Sequence, residues 1–251
     1  MKIYLACTEI RGIEDLIPGS DILEAFPYIR NNKTMIDLIP ACRNFILDSG
    51  VFTMINSGKR FNIDEYLDEY AAFIKEHKIK QYVELDVDQI YGVEETRRLR
   101  DRLENKVGQP SIPVWHTIRG KESFIRDCKD YNYIALGYFL TEGFKEQITI
   151  KYAKAFVNKA HSLNCRIHGL GFTRTMFLKD IPFDSVDSST WSMGKRYGNI
   201  SKFDRINERM VRFARPKDKR MKSSSALGRP NFIEWKKFQD FAYENIPMIW
   251  K

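Results

Sequence analysis

Short apolar runs and helical patterns alternate along most of the chain. Runs rich in apolar, β-branched and aromatic residues predict strands at 2–7, 45–50, 81–87, 112–117, 133–139, 166–172 and 183–189. Apolar residues that recur at helical spacing predict helices at 62–78, 93–107, 123–131, 144–164 and 232–246. Strands that alternate with helices in this way are typical of parallel βαβ units.

The number of predicted strands favours a closed barrel. At least seven strands in a chain of 251 residues predict an α/β fold of the (β/α)8 or TIM-barrel type, in a single domain covering residues 1–251. An open, doubly wound sheet is the alternative. No apolar run approaches the roughly 20 residues that a membrane span requires, and the first residues are expected to form a strand rather than a signal peptide.

The four cysteines, Cys7, Cys42, Cys128 and Cys165, are scattered without a CxxC pair. We therefore expect neither a disulfide framework nor a structural zinc site, and we expect a cytoplasmic protein. No HExxH or Cys/His cluster predicts a catalytic metal, and no glycine-rich phosphate loop follows a strand. The sequence therefore predicts a site that uses neither a metal nor a nucleoside triphosphate.

The positive charge of the chain is concentrated in one segment. Residues 195–229 hold twelve Lys or Arg against three Asp or Glu, whereas the whole chain has a net charge of +8. A nearly neutral body with one basic segment predicts a polyanionic partner, most simply nucleic acid. The expected contacts are Lys195, Arg196, Lys202, Arg205, Arg209, Arg212 and Arg215. Within this region, the polar stretch 217–231 is predicted to be a loop.

Polar residues stand at the ends of several predicted strands. In a barrel of this type the active site lies at the carboxyl ends of the strands, and buried carboxylates are costly unless they are paired. The residues at these ends are Asp48, Ser49, Asp86, Asp88, His116, Thr117, Gly137, His168, Gly169, Gly171, Asp184 and Asp187. Two facing carboxylates suit displacement at an anomeric carbon, one as nucleophile and the other as general acid/base.

Five segments resemble the tRNA-guanine transglycosylase superfamily. LDSGVF at 47–52 is similar to its Asp-Ser-Gly-Gly-Phe-Gln motif, and ELDVD at 84–88 to the strand that reads the purine. YIALGYF at 133–139 resembles its Gly-Leu-Ala-Val-Gly segment, and HGLG at 168–171 resembles its Met-Gly-Val-Gly turn. FDSVDSS at 183–189 is similar to its Asp-x-x-Asp-Cys strand. The five occur in the family's order over about residues 45–190.

The resemblance implies a role for each matching acid. Asp48 takes the general acid/base position and Asp187 takes the nucleophile position. Asp184 is the competing register for the nucleophile, because Phe183 and Asp184 also match the family's Phe-Asp-Cys. Asp86 matches the residue that hydrogen-bonds the guanine edge.

The resemblance also implies residues that bind the base. His116 falls near a glutamine that contacts the base in the family. The remaining expected base contacts are Ala135, Leu136, Gly137, Gly169 and Phe52. The chain departs from the family at Val51 and Thr53, and it lacks the zinc-binding insertion of the tRNA enzymes.

These departures resemble the compact DNA-guanine transglycosylases of bacteriophages and bacterial DNA-modification clusters. The expected activity is exchange of guanine in DNA for a 7-deazaguanine base, preQ0 or a related one, through a covalent Asp–C1′ intermediate. The free base would be the co-substrate, with no metal or redox cofactor. A tRNA transglycosylase without the zinc insertion, a glycosidase or base-excising glycosylase, and a non-catalytic nucleic-acid-binding barrel are the alternatives.

Overall fold

The computed structural model describes residues 1–6, 11–55, 62–137, 146–172, 174–192, 194, 198–214 and 227–248. Lys195, Arg196 and Arg215 lie outside the described residues, as does most of the loop predicted at 217–231. The backbone of Phe52 is described, but its side chain is not. Predictions made for these positions stay predictions.

Seven parallel strands form the central sheet. They are β1 (Lys2–Ala6), β2 (Asp21–Ala25), β3 (Asn44–Asp48), β4 (Val114–Trp115), β5 (Tyr133–Leu136), β6 (Arg166–Gly169) and β7 (Ser185–Ser188). Two further strands, β8 (Ile200–Asp204) and β9 (Arg209–Phe213), pair antiparallel as a separate hairpin. The sheet order is β3-β2-β1-β7-β6-β5-β4, so the first and last of the seven strands pair with each other.

This order curls the sheet towards closure. The free edges are β3 and β4, and the segment between them in sequence bridges both. Leu47 of β3 forms a parallel bridge with Tyr82, and Val83 forms one with Ile112, just before β4. The prediction of a regular strand over 81–87 was wrong in extent, because only these isolated bridges form. The segment nevertheless lies between β3 and β4, which is the place of a strand in that order of the chain.

The helices lie between successive strands of the sheet. They are α1 (Phe26–Ile29), α2 (Lys33–Leu38), α3 (Val51–Ile55), α4 (Ile63–Glu76), α5 (Asp88–Tyr91), α6 (Val93–Val107), α7 (Gly120–Asp130), α8 (Glu146–Ser162) and, after the hairpin, α9 (Gly228–Asn245). Short 3-10 turns occur at Glu14–Leu16, Ile39–Ala41, Thr117–Arg119, Thr175–Phe177 and Thr190–Ser192. Among the described helices, none combines the length and the apolar character needed to cross a membrane.

Local sequence signals explain where the long helices begin and end. The side chain of Asn62 accepts hydrogen bonds from the amides of Asp64 and Glu65, which caps the start of α4. Helix α6 ends at Gly108, which adopts the left-handed conformation with φ +83° that favours glycine. The bounds predicted for α6 are those observed.

Two buried clusters stabilise the fold. The larger one packs the helices against the outer face of the sheet. The smaller one joins alternate residues of the strands on the inner face: Tyr4, Ala6, Leu23, Ile46, Val83, Ile112, Val114, Tyr133 and Ala135. Because side chains alternate across a strand, residues two positions apart share a face. Asp48 and His116, two positions beyond Ile46 and Val114, therefore bring polar groups to the carboxyl edge of the inner face.

The hairpin packs lengthwise against α9. The amide of Ser201 bonds to Asn231 near the start of α9, and the ring of Phe203 packs on Phe238 and Phe241 further along. The amide of Gln239 donates to carbonyls at the amino ends of β1 and β2. The open end of the hairpin therefore lies towards the carboxyl edge of the sheet, and its tip lies towards the amino edge.

Candidate active site

A cavity of about 510 Å³ opens at the carboxyl ends of the strands. Its lining consists of Asp48, Ser49, Gly50, Val51, Thr53, Asp86, Val87, Gln89, Ile90, His116, Leu170 and Gly171. Three of the predicted site residues, Asp48, Asp86 and His116, are thus brought together although they are far apart in sequence. The volume falls within the range of small-molecule sites.

Asp48 is the last residue of β3 and is partly buried. Burial raises the pKa of its carboxyl to about 6, and the nearby charges of Asp187 and Asp86 act in the same direction. Hydrogen bonds from the amides of Gly50 and Ser49 lower the pKa and offset part of that shift. The turn needs Gly50, because φ is +60° and a Cβ would lie 2.6 Å from Pro27. Asp48 is therefore a carboxyl that can exchange a proton near neutral pH.

Asp86 and His116 form a pair on the cavity wall. Nε2 of His116 lies 2.9 and 2.8 Å from the two carboxylate oxygens of Asp86. Burial alone would lower the pKa of His116, but its hydrogen bond to Asp86 and the charges of Asp86 and Asp88 outweigh burial and raise it. Because Nε2 faces Asp86 and Nδ1 is buried, the pair presents the carboxylate oxygens of Asp86 to the cavity as acceptors, which suits the N–H groups of a heterocycle edge.

Asp187 lies next to the cavity wall and is 8% exposed. Its Oδ1 accepts a hydrogen bond from the amide of Gly171, which lines the cavity, over 2.5 Å. Nε2 of His168 lies 3.2 Å from the same oxygen. Since the charge of Asp187 acts on the pKa of Asp48, the two predicted catalytic carboxylates share one electrostatic environment.

Asp184 occupies the opposite end of the same strand. It precedes β7, its Oδ2 accepts from the amide of Ile167, and Nε2 of His161 lies 2.8 Å from it. Because Ile167 belongs to the early part of β6, this carboxylate lies towards the amino edge of the sheet. The geometry therefore favours Asp187 over the competing register.

Four predicted base contacts are not in the cavity lining. Ala135 and Leu136 are fully buried, and the sheet uses the Ala135 amide and the Leu136 carbonyl. A Cβ on Gly137 would lie 2.1 Å from the His116 ring, so the histidine fills the space expected for the base. A Cβ on Gly169 would meet Phe183 and Phe172 in the same way. The expected backbone contacts from these four positions are corrected accordingly: they support His116 and the core.

A buried ion network lies behind the Asp86–His116 pair. Arg119 bonds to both oxygens of Asp88, at 2.5 and 3.0 Å, and to Glu84 at 2.9 Å. Burial raises the pKa of Glu84 to about 7, although Arg119 and Arg100 lower it. Atoms of Asp86, Asp88 and His116 lie within 4.8 Å of one another, as metal ligands would. Arg119 already neutralises Asp88, so a cation there would have to displace the guanidinium.

Of the predicted nucleic-acid contacts, those that the structure describes are on the hairpin. Lys202, Arg205, Arg209 and Arg212 are all exposed. Arg212 pairs with Ser201 near the open end, which lies towards the carboxyl edge of the sheet. Arg205 follows β8 at the tip, on the far side from the cavity. Lys202 and Arg212 therefore lie nearer the cavity side of the hairpin than Arg205 does, and the nucleic-acid contact expected of all four stays a prediction.

Several lining residues were missed by the sequence interpretation. Val87, Gln89 and Ile90 come from α5 and the residue before it, and Leu170 comes from the turn after β6. Val87 and Leu170 lie inside the family-like segments ELDVD and HGLG, and Gln89 and Ile90 directly follow ELDVD. Their position in or beside these motifs was the signal that could have identified them. Trp115 and Trp191 are buried beside this region, and their indole N–H groups donate to the carbonyls of Gly120 and Ala6.

Comparisons with known proteins bear on the fold alone. No family model matches the chain, and no curated protein matches it significantly. A similar solved structure is that of a "putative fructose-1,6-biphosphate aldolase" from Coccidioides immitis, with a TM-score of 0.52 and 14% sequence identity. The match covers 95% of this chain and 89% of that chain. The chain is thus an α/β protein with a curled, parallel, barrel-like sheet.

Proposed function

We propose that this protein is a pentosyltransferase that exchanges guanine in DNA for a free 7-deazaguanine base. The observation that carries the proposal is the presence of Asp48 and Asp86 in the lining of one cavity at the carboxyl ends of parallel strands, with Asp187 directly behind the lining residue Gly171, to whose amide it is hydrogen-bonded. Carboxylates in one site whose environments differ can divide the roles of nucleophile and proton carrier. We also propose that segment 82–84 acts as the eighth strand position of a (β/α)8-type barrel, because it bridges both free edges.

In the first half-reaction, a carboxylate oxygen of Asp187 forms a bond to C1′ of the target deoxyguanosine. The C1′–N9 bond breaks, its electron pair goes to the guanine, and Asp48 donates the proton that the leaving base takes up. A group with a pKa of about 6 can both donate and accept this proton near neutral pH. The product is a covalent ester between Asp187 and the sugar.

In the second half-reaction, a 7-deazaguanine enters the cavity that guanine has left. Asp48 accepts the proton from its N9, N9 attacks C1′, and the bond between C1′ and Asp187 breaks with its electron pair returning to the carboxylate. Two displacements at the same carbon retain the configuration of the sugar. The reaction consumes no oxidant and needs no other co-substrate.

Recognition of the base is assigned to the Asp86–His116 pair. The carboxylate of Asp86 accepts from the N–H groups of a guanine edge, and the imidazole of His116 keeps the carboxylate in place over 2.8 to 2.9 Å. Val87, Ile90 and Leu170 supply apolar wall for the faces of the ring. Because C1′ is blocked in a stacked duplex, the target nucleotide has to leave the stack to reach this site.

Binding of DNA is assigned to the basic segment. Lys202 and Arg212 lie on the part of the hairpin nearest the cavity edge, and Lys195, Arg196 and Arg215 lie close to them in sequence. Contacts of this kind to phosphates position the nucleic acid without reading its sequence.

In the test, the purified protein is incubated with duplex DNA and, separately, with tRNA. Each nucleic acid is offered one isotopically labelled free base at a time, either guanine or a 7-deazaguanine. Nucleosides are then analysed by mass spectrometry. The proposal predicts label in DNA, and label only in tRNA would assign the tRNA reaction instead. Release of guanine without incorporation would make the protein a glycosylase. Salt-dependent binding without either reaction would leave only a binding barrel.

A further inference from the structure

A chain of buried polar side chains runs beneath Asp187 on the inner face of the sheet. The hydroxyl of Tyr133 in β5 lies 2.5 Å from Oγ of Ser185, and Oγ lies 2.6 Å from Nδ1 of His168 in β6. Nε2 of the same ring lies 3.2 Å from Oδ1 of Asp187. The amide of Gly171 donates to that same oxygen. The chain therefore links β5, β6 and β7 and ends on the proposed nucleophile.

As a carboxylate, Asp187 sets the direction of its own bond with His168. A carboxylate only accepts hydrogen bonds, so Nε2 of His168 carries the proton. In the neutral form of the ring, Nδ1 is then an acceptor, and Ser185 donates to it. Ser185 in turn accepts from Tyr133, whose hydroxyl stays protonated because burial raises its pKa well above the ordinary value. The three side chains thus fix one tautomer of His168.

The two oxygens of Asp187 are treated differently. Oδ1 receives both the Gly171 amide and Nε2 of His168, whereas Oδ2 has no hydrogen-bond partner among the described residues. Holding one oxygen leaves the other free to bond to C1′. In the covalent ester, Oδ1 becomes the carbonyl oxygen, and it takes negative charge again as the C1′–Oδ2 bond breaks in the second half-reaction.

We infer that His168 is a positioning residue for the proposed base exchange, and that with the Gly171 amide it stabilises the carboxylate of Asp187 as it leaves. The inference rests on the proposed function. Two donors aimed at an oxygen where charge develops speed the step in which that charge forms. Loss of the His168 donor should slow breakdown of the covalent intermediate more than its formation, since a less stabilised carboxylate is a poorer leaving group but no poorer nucleophile.

The experiment measures both half-reactions by rapid quench with wild-type protein, His168→Leu and His168→Gln. With His168→Leu, breakdown of the protein–DNA adduct should slow by about 100-fold, the lower end of the loss caused by removing one donor to a developing oxyanion, because the Gly171 amide remains. Formation should change by less than about threefold by the same argument, so the adduct accumulates. Glutamine keeps an N–H donor, and His168→Gln should restore much of the breakdown rate.

His161→Leu is a matched control, because it removes a similar histidine–carboxylate contact, His161 to Asp184, at the other end of β7. It should change the melting temperature without changing the ratio of the two rates. If His168→Leu does not fold, Ser185→Ala tests the same point by removing the donor to Nδ1. Equal slowing of both steps in the folded variants, or an unchanged breakdown rate, would overturn the inference. A wild-type protein without adduct or exchange would instead defeat the proposed function, and the inference with it.

Discussion

At the scale of single residues, three aspartates at strand ends have three different environments. Asp48 is desolvated and has a raised pKa, Asp86 is engaged by His116, and Asp187 is held by His168 and Gly171. The same side chain can therefore carry a proton, bind a base edge or attack a sugar, because its surroundings decide which form is stable. The sequence predicted these three positions but not what surrounds each of them.

Asp48 should give the two half-reactions opposite pH dependences. Its carboxyl has a folded-state pKa of about 6, so the protonated form needed for guanine release is lost as the pH rises through that value. The ionised form needed for insertion of the new base appears over the same interval. Single-turnover release should thus slow, and insertion should accelerate, with midpoints near pH 6. In Asp48→Asn both half-reactions should be slow and lack this midpoint, whereas an unaltered profile would exclude Asp48 as the proton carrier.

At the scale of elements, a buried ion network ties the turn Thr117–Arg119, just before α7, to Glu84 and to Asp88 at the start of α5. Arg119 is 2% exposed in its side chain and binds both Asp88 and Glu84, which are fully buried. The network fixes the backbone on either side of Asp86. Buried pairs of this kind add little net stability, but breaking one leaves an uncompensated charge.

Arg119→Met should destabilise the protein by about 3–5 kcal/mol, because Asp88 and Glu84 would lose their shared partner. Urea unfolding measures this free energy. Arg97→Ala is the control, since Arg97 forms an exposed pair with Glu94 three residues earlier and should cost no more than about 1 kcal/mol. Comparable losses in the two variants would show that the buried network does not support the site.

The elements that the sequence predicted well are those whose burial is simple. Helix α6 has one apolar face and glycines on both sides, and its bounds were predicted without error. Strand β2 was missed because its buried positions include Asp21 and Glu24. Asp21 is paired with Arg43, a distant contact that no local pattern shows. The hairpin was missed because exposed charged residues hide its alternation.

The candidate site was predictable only in part for a similar reason. Positions at strand ends identify Asp48, Asp86, His116 and Asp187, since topology alone brings these ends together. Whether a glycine faces a ligand or another side chain depends on packing between strands. Gly137 was expected to face the base, and it faces His116.

At the scale of the whole molecule, the cavity opens at the carboxyl edge of the sheet, whereas the cations of the hairpin are spread from that edge towards the amino edge. The hairpin lies along α9 with its open end towards the cavity side, and its tip residue Ile206 is 93% exposed on the other side. The four described cations of the hairpin are consequently not equivalent. On the proposed function, those near the open end would contact the nucleic acid, whereas those at the tip lie on the far side of the hairpin from the cavity.

Arg212→Ala should weaken DNA binding several-fold and reduce the dependence of log Kd on log salt by about one, because one phosphate contact and its counterion are lost. Arg205→Ala, at the tip, is the matched control and should change neither quantity appreciably. Fluorescence anisotropy over a salt series measures both. A larger effect at Arg205 would place the nucleic acid on the opposite side of the hairpin.

The most direct measurement of the central claim is the site of covalent attachment. Protein is mixed with DNA without free base, quenched in acid, digested with protease and nuclease, and its peptides are sequenced by mass spectrometry. The account predicts a deoxyribose-linked fragment on Asp187, lost in Asp187→Asn and retained in Asp184→Asn. Attachment at Asp184, or base exchange that proceeds in Asp187→Asn, would contradict it.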